Sequence, residues 1–393
     1  MKRNGSCYEI ILNYDCNARC LFCSQGDFDK NKNASFENIS ADIYRAKKEG
    51  YKNLGLNGGE PTLRPDLFKI IKLARNIGFG YVRLQTNGLK ISDHEYAEKL
   101  VRAGLTYCKF SLSDDKSLFH DRIVGIKGAW RKAVKGLENL KKFNIRLGNN
   151  ILVNRFNYKR LPAIVKFFME KGVSKFVIIY PQYAGSMFKN KRSIGVSLPE
   201  ASPYLSKTMD FMKINSMDEE MLFLNVPPCF LPGYEDSIIG MDRFDTTVSD
   251  PFGGRTDLDE NSDSGRIYGR VCADCLMRGK CRGVDSGYAD LYGWKGFKPV
   301  KKVIKKTVKT SESRFFTDNE RCFVQILELN GTLRTKEVLK KASGLPICQD
   351  CLDGNAVLNA GEKLVKRGLV EKKFIKGVYF WSLAESYDFN SRK

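Results

Sequence analysis

The stretch YEIILNYDCNARCLFC, Tyr8–Cys23, decides how this chain is read. Its first half, Tyr8 to Leu12, is rich in β-branched and aromatic residues and reads as a strand. Its second half places Cys16, Cys20 and Cys23 in a C-x3-C-x2-C pattern, with Phe22 directly before the last cysteine. Three thiolates at this spacing can hold three corners of a [4Fe-4S] cube and leave the fourth iron open, so that the cluster can act on a bound molecule as well as carry electrons. Zinc, a disulfide pair and coincidence are the alternatives for so short a run.

Working outward, the sequence from Cys7 to about Tyr180 alternates short apolar runs with amphipathic stretches, the pattern of repeated βα units. Six strands are expected: Tyr8 to Leu12, Asn53 to Asn57, Tyr81 to Gln85, Tyr107 to Leu112, Leu147 to Val153 and Phe176 to Tyr180. Helical patterns fall between them at Phe36 to Glu49, Pro65 to Ile77, Asp93 to Ala103, Ala129 to Phe143 and Leu161 to Lys171. Six parallel units make an open or partial barrel whose ligands sit at the carboxyl ends of the strands. The chemically suggestive residues gather there. The cysteines follow strand one, Gly58, Gly59, Glu60 and Pro61 follow strand two, and Asn87 follows strand three. Ser111 and Asn154 end strands four and five. Glycines 58 and 59 allow close backbone approach, and Glu60 offers a carboxylate for an ammonium group or a cap for the next helix.

The remaining chain divides by composition. A helical candidate spans Pro199 to Ile214, and residues 226 to 265 are rich in Pro, Gly and Asp, which suggests irregular structure braced from outside. Cys229 lies in that segment, and Cys272, Cys275 and Cys281 follow it in a C-x2-C-x5-C arrangement. These four are enough for a second cluster, and equally for a four-thiolate zinc site. Beyond a lysine run from Lys295 to Lys309, three helices (Asp318 to Leu329, Thr335 to Ala342, Asn355 to Arg367) and two strands (Leu369 to Phe374, Val378 to Leu383) match a winged helix-turn-helix. Cys348 and Cys351 form another C-x2-C there, too few ligands for a site by themselves. The expected domains are 1–185 (partial barrel), 186–225 (a connection completing it), 226–297 (auxiliary cluster region), 298–314 (basic linker) and 315–393 (winged-helix-like).

Composition narrows the chemistry. Twelve cysteines in a chain of 393 residues without an apolar leader read as reduced thiols of a cytoplasmic protein, and no run is long and apolar enough to enter a membrane. Only His94 and His120 are present, so a histidine-built metal site is excluded and metal chemistry must rest on sulfur. Both have ordinary structural explanations, as a first-turn helix residue and as a residue packed after strand four. A net charge of +21 points to an acidic partner, and residues 295–393 hold 21 Lys or Arg against 11 Asp or Glu.

Cys16, Cys20, Phe22 and Cys23, together with Gly58-Gly59-Glu60-Pro61 in the same order and strand context, resemble the radical S-adenosylmethionine (SAM) superfamily. The likeness covers roughly residues 7–185. The region of Cys229, Cys272, Cys275 and Cys281 resembles that superfamily's SPASM or twitch extensions. The resemblance implies an α/β fold, a partial (βα)6 barrel with a small auxiliary Fe-S region and an α+β winged-helix domain. It also implies a [4Fe-4S] cluster whose open iron binds SAM, an auxiliary [4Fe-4S] cluster, a reducing partner such as flavodoxin or ferredoxin, and SAM contacts at Gly58 to Pro61. Asn87, Ser111 and Asn154 are candidates for further SAM contacts, although the Ser-Leu-Asp common on strand four of the family is here Ser111-Leu112-Ser113, with the acid displaced to Asp114. The implied function is hydrogen abstraction by a 5'-deoxyadenosyl radical from a peptide or protein. Modification of RNA or DNA is the second expectation, and a non-catalytic Fe-S DNA-binding redox regulator is the third.

Overall fold

A computed structural model describes residues 6–143, 145–241, 243–261, 264–308, 315–342, 344, 354–385 and 387. The chain runs β1 (Cys7–Ile11), α1 (Phe36–Lys48), β2 (Asn53–Asn57), α2 (Leu67–Asn76), β3 (Tyr81–Thr86), α3 (His94–Arg102), β4 (Tyr107–Phe110), α4 (Ser117–Val124), α5 (Ala129–Lys141), β5 (Arg146–Leu152), α6 (Leu161–Glu170) and β6 (Lys175–Ile179). Neighbouring strands β1 to β6 pair in parallel in chain order. Parallel strands cannot be joined by a hairpin, so each connection carries a helix across the sheet. Those helices bury Ile39, Ile43, Ile70, Ile71, Leu100 and Leu137 against strand residues such as Leu54, Leu56, Val82 and Leu84. Each fully buried aliphatic side chain contributes about 1.5–3 kcal/mol.

The sheet is larger than six strands. After α7 (Gly185–Ile194) and α8 (Leu198–Ile214), β7 (Met221–Leu224) adds in parallel to β6. At the other edge β8 (Thr246–Ser249) pairs in parallel with β1, and β9 (Arg255–Asp257) returns antiparallel beside it. The nine strands are thus ordered β7-β6-β5-β4-β3-β2-β1-β8-β9. This corrects the expected boundary at residue 226. The segment read as a separate auxiliary region supplies two strands to the barrel sheet, because the free edge of β1 presents unpaired backbone groups that β8 satisfies.

Four short elements follow: α9 (Leu258–Asn261), β10 (Arg266–Ile267), its antiparallel partner β11 (Val284–Asp285), and α10 (Ser286–Tyr292). The lysine-rich segment is docked along the barrel over part of its length. Lys306 pairs with Asp210 at 2.7 Å, and Lys301 donates to the Asp274 carbonyl at 3.3 Å, while Lys302 and Lys305 are exposed.

The C-terminal unit has its own core around Phe323, Leu327, Leu364 and Trp381. It contains α11 (Asp318–Asn330), β12 (Leu333–Arg334), α12 (Thr335–Ala342), α13 (Gly354–Lys366), β13 (Val370–Ile375) and β14 (Val378–Leu383), with the sheet ordered β12-β14-β13. Thr317 and Glu320 form a reciprocal capping box that starts α11. Cys322 is disulfide-bonded. Cys348 and Cys351 lie outside the described residues.

Candidate functional site

The site begins with a close approach of two loops. The loop after β2 lies on the loop after β1: the amide of Gly59 donates to the Asn13 carbonyl at 2.7 Å, and that of Glu60 to the Asp15 carbonyl at 2.8 Å. A Cβ on Gly58 would stand 2.5 Å from Asn13 Oδ1, and one on Gly59 only 2.2 Å from the Asp15 carbonyl oxygen. Only glycine fits here, and Gly58 also takes a φ of +156°. The pair fixes the backbone that leads into Cys16.

Glu60 corrects the expectation of a carboxylate presented to a ligand. It is fully buried, and its oxygens accept from the Thr62 amide (3.1 Å), Thr62 Oγ1 (2.5 Å), Thr86 Oγ1 (2.7 Å) and the Asn87 amide (2.7 Å). Burial pushes its carboxyl upward, and these hydrogen bonds oppose the shift. Glu60 therefore caps the short turn Pro61–Leu63 and ties the end of β2 to the end of β3. Pro61 is buried at the start of that turn.

The cysteine loop is held by two helices, α4 and α7. Arg19 and Leu21 amides donate to the Val124 and Ile123 carbonyls at the end of α4, each at 2.9 Å. The Ser186 amide at the start of α7 donates to the Cys23 carbonyl at 2.9 Å, and Asn190 Nδ2 donates to the Leu21 carbonyl at 3.1 Å. Cys16, Cys20 and Cys23 are free, partly buried thiols. Burial raises the Cys16 and Cys20 thiols; the Ala18 amide opposes the shift at Cys16, and the charges of Cys16 and Cys23 add to it at Cys20. Cys16 and Cys20 are thereby held toward the neutral thiol, and bound positive iron would compensate the clustered negative charge of the ligand set.

These thiols border a cavity of about 1000 Å³ at the carboxyl ends of the strands. Gly58, Gly59, Asn87 and Ser111 also line it. Asn87 Nδ2 lies 4.0 Å from Cys16 Sγ and donates to Asn17 Oδ1 at 2.7 Å. Asn154 does not reach the cavity. It is buried, and its side chain closes its own turn through the Leu152 carbonyl (3.0 Å) and the Phe156 amide (2.9 Å). Asn150, two turns of the pleat earlier on β5, lines the cavity instead, with its Oδ1 unpaired. Asp114 is also withdrawn, paired with Arg160 at 2.9 Å, and burial pushes its carboxyl up to about 6. His120 accepts from the Ser113 amide at 3.2 Å, and burial lowers it to about 4. His94 stacks on Phe143 at the start of α3.

A second cysteine group adjoins the first cavity. Cys229, Cys272, Cys275 and Cys281 line a small void of about 30 Å³ closed by Pro227, Val271, Trp294 and Phe297. Burial pushes the Cys229 thiol up to about 12, and the other three thiols act on it in the same direction. Two backbone amides already point at sulfur: Gly283 at 3.4 Å from Cys281 Sγ and Val300 at 3.3 Å from Cys275 Sγ. Hydrogen bonds of this kind tune thiolate-bound clusters. Cys281, Pro227 and Pro228 line both spaces, so the second cysteine group borders the large cavity through Cys281. Among the described residues, no three His, Cys, Asp or Glu side chains converge tightly enough for a single ion. Donors of a cubane stand further apart than donors of one zinc, and the soft, reduced thiol sets fit a cluster.

Residues 10–168 match the sequence model of the Radical SAM superfamily. The chain is 32% identical over 176 residues to the Fe-coproporphyrin III synthase of Methanosarcina barkeri, covering 43% of this chain and 42% of that protein. It is 30% identical over 185 residues to the PqqA peptide cyclase of Gluconobacter oxydans (47% and 51% covered). It is 32% identical over 210 residues to a probable GTP 3',8-cyclase of Sulfurisphaera tokodaii (53% and 66%). The chain thus spans about half the length of these curated relatives, from 42% to 66%. Among solved structures, it is similar to Streptococcus suis SuiB bound to precursor peptide SuiA, with a TM-score of 0.57 at 13% identity over 75% of both chains. It is also similar to anSMEcpe with bound AdoMet and Kp18Cys peptide, with a TM-score of 0.54 at 17% identity over 77% of this chain and 93% of that one. No described helix is long and apolar enough to cross a membrane. The cysteine triplet and the glycine-tight loop beside it both lie inside the span that matches the Radical SAM superfamily.

Proposed function

We propose that the chain is a radical SAM enzyme that modifies a peptide or protein. The observation that carries the reading is the placement of three free thiols, Cys16, Cys20 and Cys23, at the rim of a cavity of about 1000 Å³ that Cys281 of the second group also borders. The match to the radical SAM superfamily model implies a [4Fe-4S] cluster and SAM. Held by these thiols and loaded with SAM, such a cluster would supply reductive carbon-sulfur cleavage and, from it, hydrogen abstraction from a substrate carbon.

The chain's own residues perform the rest. Cys16, Cys20 and Cys23 would ligate the cluster, with the loop around Gly58 and Gly59 pressed against their backbone. Asn87 and Ser111 line the adjoining wall and offer hydrogen bonds to a polar ligand. Cys229, Cys272, Cys275 and Cys281 would ligate an auxiliary cluster, shielded by Trp294 and Phe297. A peptide substrate is supported by the named peptide cyclase among the relatives and by the two peptide-bound structures that share the fold. Three helices and a three-stranded antiparallel sheet at residues 315–385 support a winged-helix reading of the C-terminal unit, which would dock the peptide.

The protein, reconstituted anaerobically and reduced, is expected to convert SAM to 5'-deoxyadenosine. Deuterium on a candidate peptide is expected to appear in that product. Complete absence of 5'-deoxyadenosine overturns the catalytic reading. A nucleic-acid substrate is the second reading, favoured by the exposed Lys302 and Lys305 and the basic C-terminal quarter. Salt-sensitive tRNA binding that is lost in Lys302→Glu/Lys305→Glu would favour it.

A further inference from the structure

The charges deep in the cavity are unevenly matched. Register places Lys109 of β4 beside Gln85 of β3 and Gly148 of β5, one inward position deeper than Ser111. Among the described residues lining the cavity, Glu9 is the one carboxylate, and it is already engaged. It pairs with Arg83 and accepts from Asn57 Nδ2. Lys109 has no hydrogen bond or ion pair among the described residues; its ammonium lies 6.0 Å from the Tyr107 ring centre. The groups acting on it are Arg83, Glu9, Cys7 and Lys175, and Lys175 is paired with Glu220 at 2.6 Å. Burial, with Arg83 beside it, pushes Lys109 down to about 7. Cys7 is held neutral, its thiol raised to about 12 by burial. With Lys109 protonated, Glu9, Arg83 and Lys109 on β1, β3 and β4 together carry one positive charge without a carboxylate to answer it; the cavity's other cations, Arg19, Lys30, Arg266 and Arg282, stand outside these strands.

A cation partly withdrawn from water without a hydrogen-bond partner is costly, and a cavity of this kind is where function retains one. We propose that Lys109 anchors a carboxylate of the substrate, the side chain of an Asp or Glu in the peptide, at the floor of the barrel. The inference rests on the peptide reading above and assigns a specificity to it. One uncompensated charge matches one carboxylate. A phosphate would call for more charge and for a guanidinium fork, and Arg83, the arginine at this depth, is spent on Glu9. The unpaired Asn150 Oδ1 on the adjoining wall is an acceptor for a peptide N–H, a group that a peptide brings along with its carboxylate.

The test uses the reconstituted full-length enzyme with SAM and two N-acetylated, C-amidated pentapeptides that differ only in a central Glu or Gln. Calorimetry reads binding, and 5'-deoxyadenosine formation reads turnover. The Glu peptide is expected to bind about 10-fold more tightly than the Gln peptide to the wild type. Lys109→Met is expected to erase that preference and Lys109→Arg to keep much of it, with cluster absorbance and Tm reporting folding. Should Lys109→Met not fold, Lys109→Gln takes its place. Equal binding of both peptides with SAM cleavage intact overturns the role of Lys109 and leaves the peptide reading standing. A preference that survives in Lys109→Met does the same. Failure of both peptides to bind at about 1 mM overturns the proposal; if a tRNA binds instead, the peptide reading falls with it.

Discussion

Lys109 and Glu60 show opposite treatments of a charge inside one barrel. Glu60 is surrounded by four donors, so its cost of burial is met by hydrogen bonds and its loss leaves Thr62, Thr86 and Asn87 groups without a partner. Glu60→Ala is expected to cost about 3 kcal/mol and to loosen the loop over Cys16. The check is a lower unfolding midpoint together with less iron bound per chain after reconstitution; wild-type values of both would refute the account. Lys109 has no such compensation. Its folded value, about 7, lies below the ordinary 10.5, so between those limits the unfolded chain holds more protons and stability rises with pH. The penalty is complete below pH 7 and gone above about 10.5. Lys109→Met is therefore expected to raise Tm at pH 6, with each 1 kcal/mol gained worth about 2 °C, and to bring no gain at pH 11. An equal shift at both pH values would show that packing, not charge, changed.

At the scale of elements, the loops that carry ligands depend on backbone contacts that a single methyl group would break. Gly59→Ala would drive a Cβ into the Asp15 and Tyr14 carbonyls, at 2.2 and 2.6 Å. The variant is expected to fold its sheet but to bind less cluster iron, seen as weaker absorbance of the reconstituted protein and unchanged far-UV circular dichroism. Full cluster loading would refute that dependence. Much of this was legible in the sequence, because Val378–Leu383 follows a turn at Lys376 and Gly377 and carries a β-forming run. Other parts were not. β8 reads only Thr-Thr-Val-Ser, and it is a strand because the edge of β1, more than 200 residues earlier, accepts it. Asn150, Arg83 and Lys109 escaped notice because parallel strands are covered on both faces, so polarity along them does not announce which side faces a cavity. The same periodicity misplaced the polar contact on β5 at Asn154, a residue that folds back on its own turn. α7, which clamps Cys23 through Ser186, has the ordinary composition of a surface helix, and its role exists only in three dimensions.

At the scale of the whole molecule, the C-terminal unit meets the barrel at the end opposite the cysteines. Asp318, at the start of α11, accepts from Ser174 Oγ at 2.7 Å just before β6, and lies 3.6 Å from Arg146 at the start of β5. Arg321 adds hydrogen bonds to the Gly172 carbonyl at 3.3 and 3.4 Å. These contacts join the amino ends of the strands, while the candidate ligands lie at the carboxyl ends, a strand length of about 17–20 Å away. A peptide held by this unit would therefore have to run along the barrel before its reacting residue entered the cavity, which favours an extended substrate over a compact one. Asp318 is buried, and removing it takes the countercharge from Arg146, itself mostly buried. Breaking one partner of such a pair costs about 3–5 kcal/mol, because the remaining charge stays desolvated. Asp318→Ala is thus expected to lower Tm and to raise protease sensitivity in the lysine-rich segment before α11, while SAM cleavage without peptide, on the reading proposed above, continues at the wild-type rate. A change in that rate with Tm unaltered would mean that the unit acts on the barrel's chemistry directly, against the separation of the two ends of the strands.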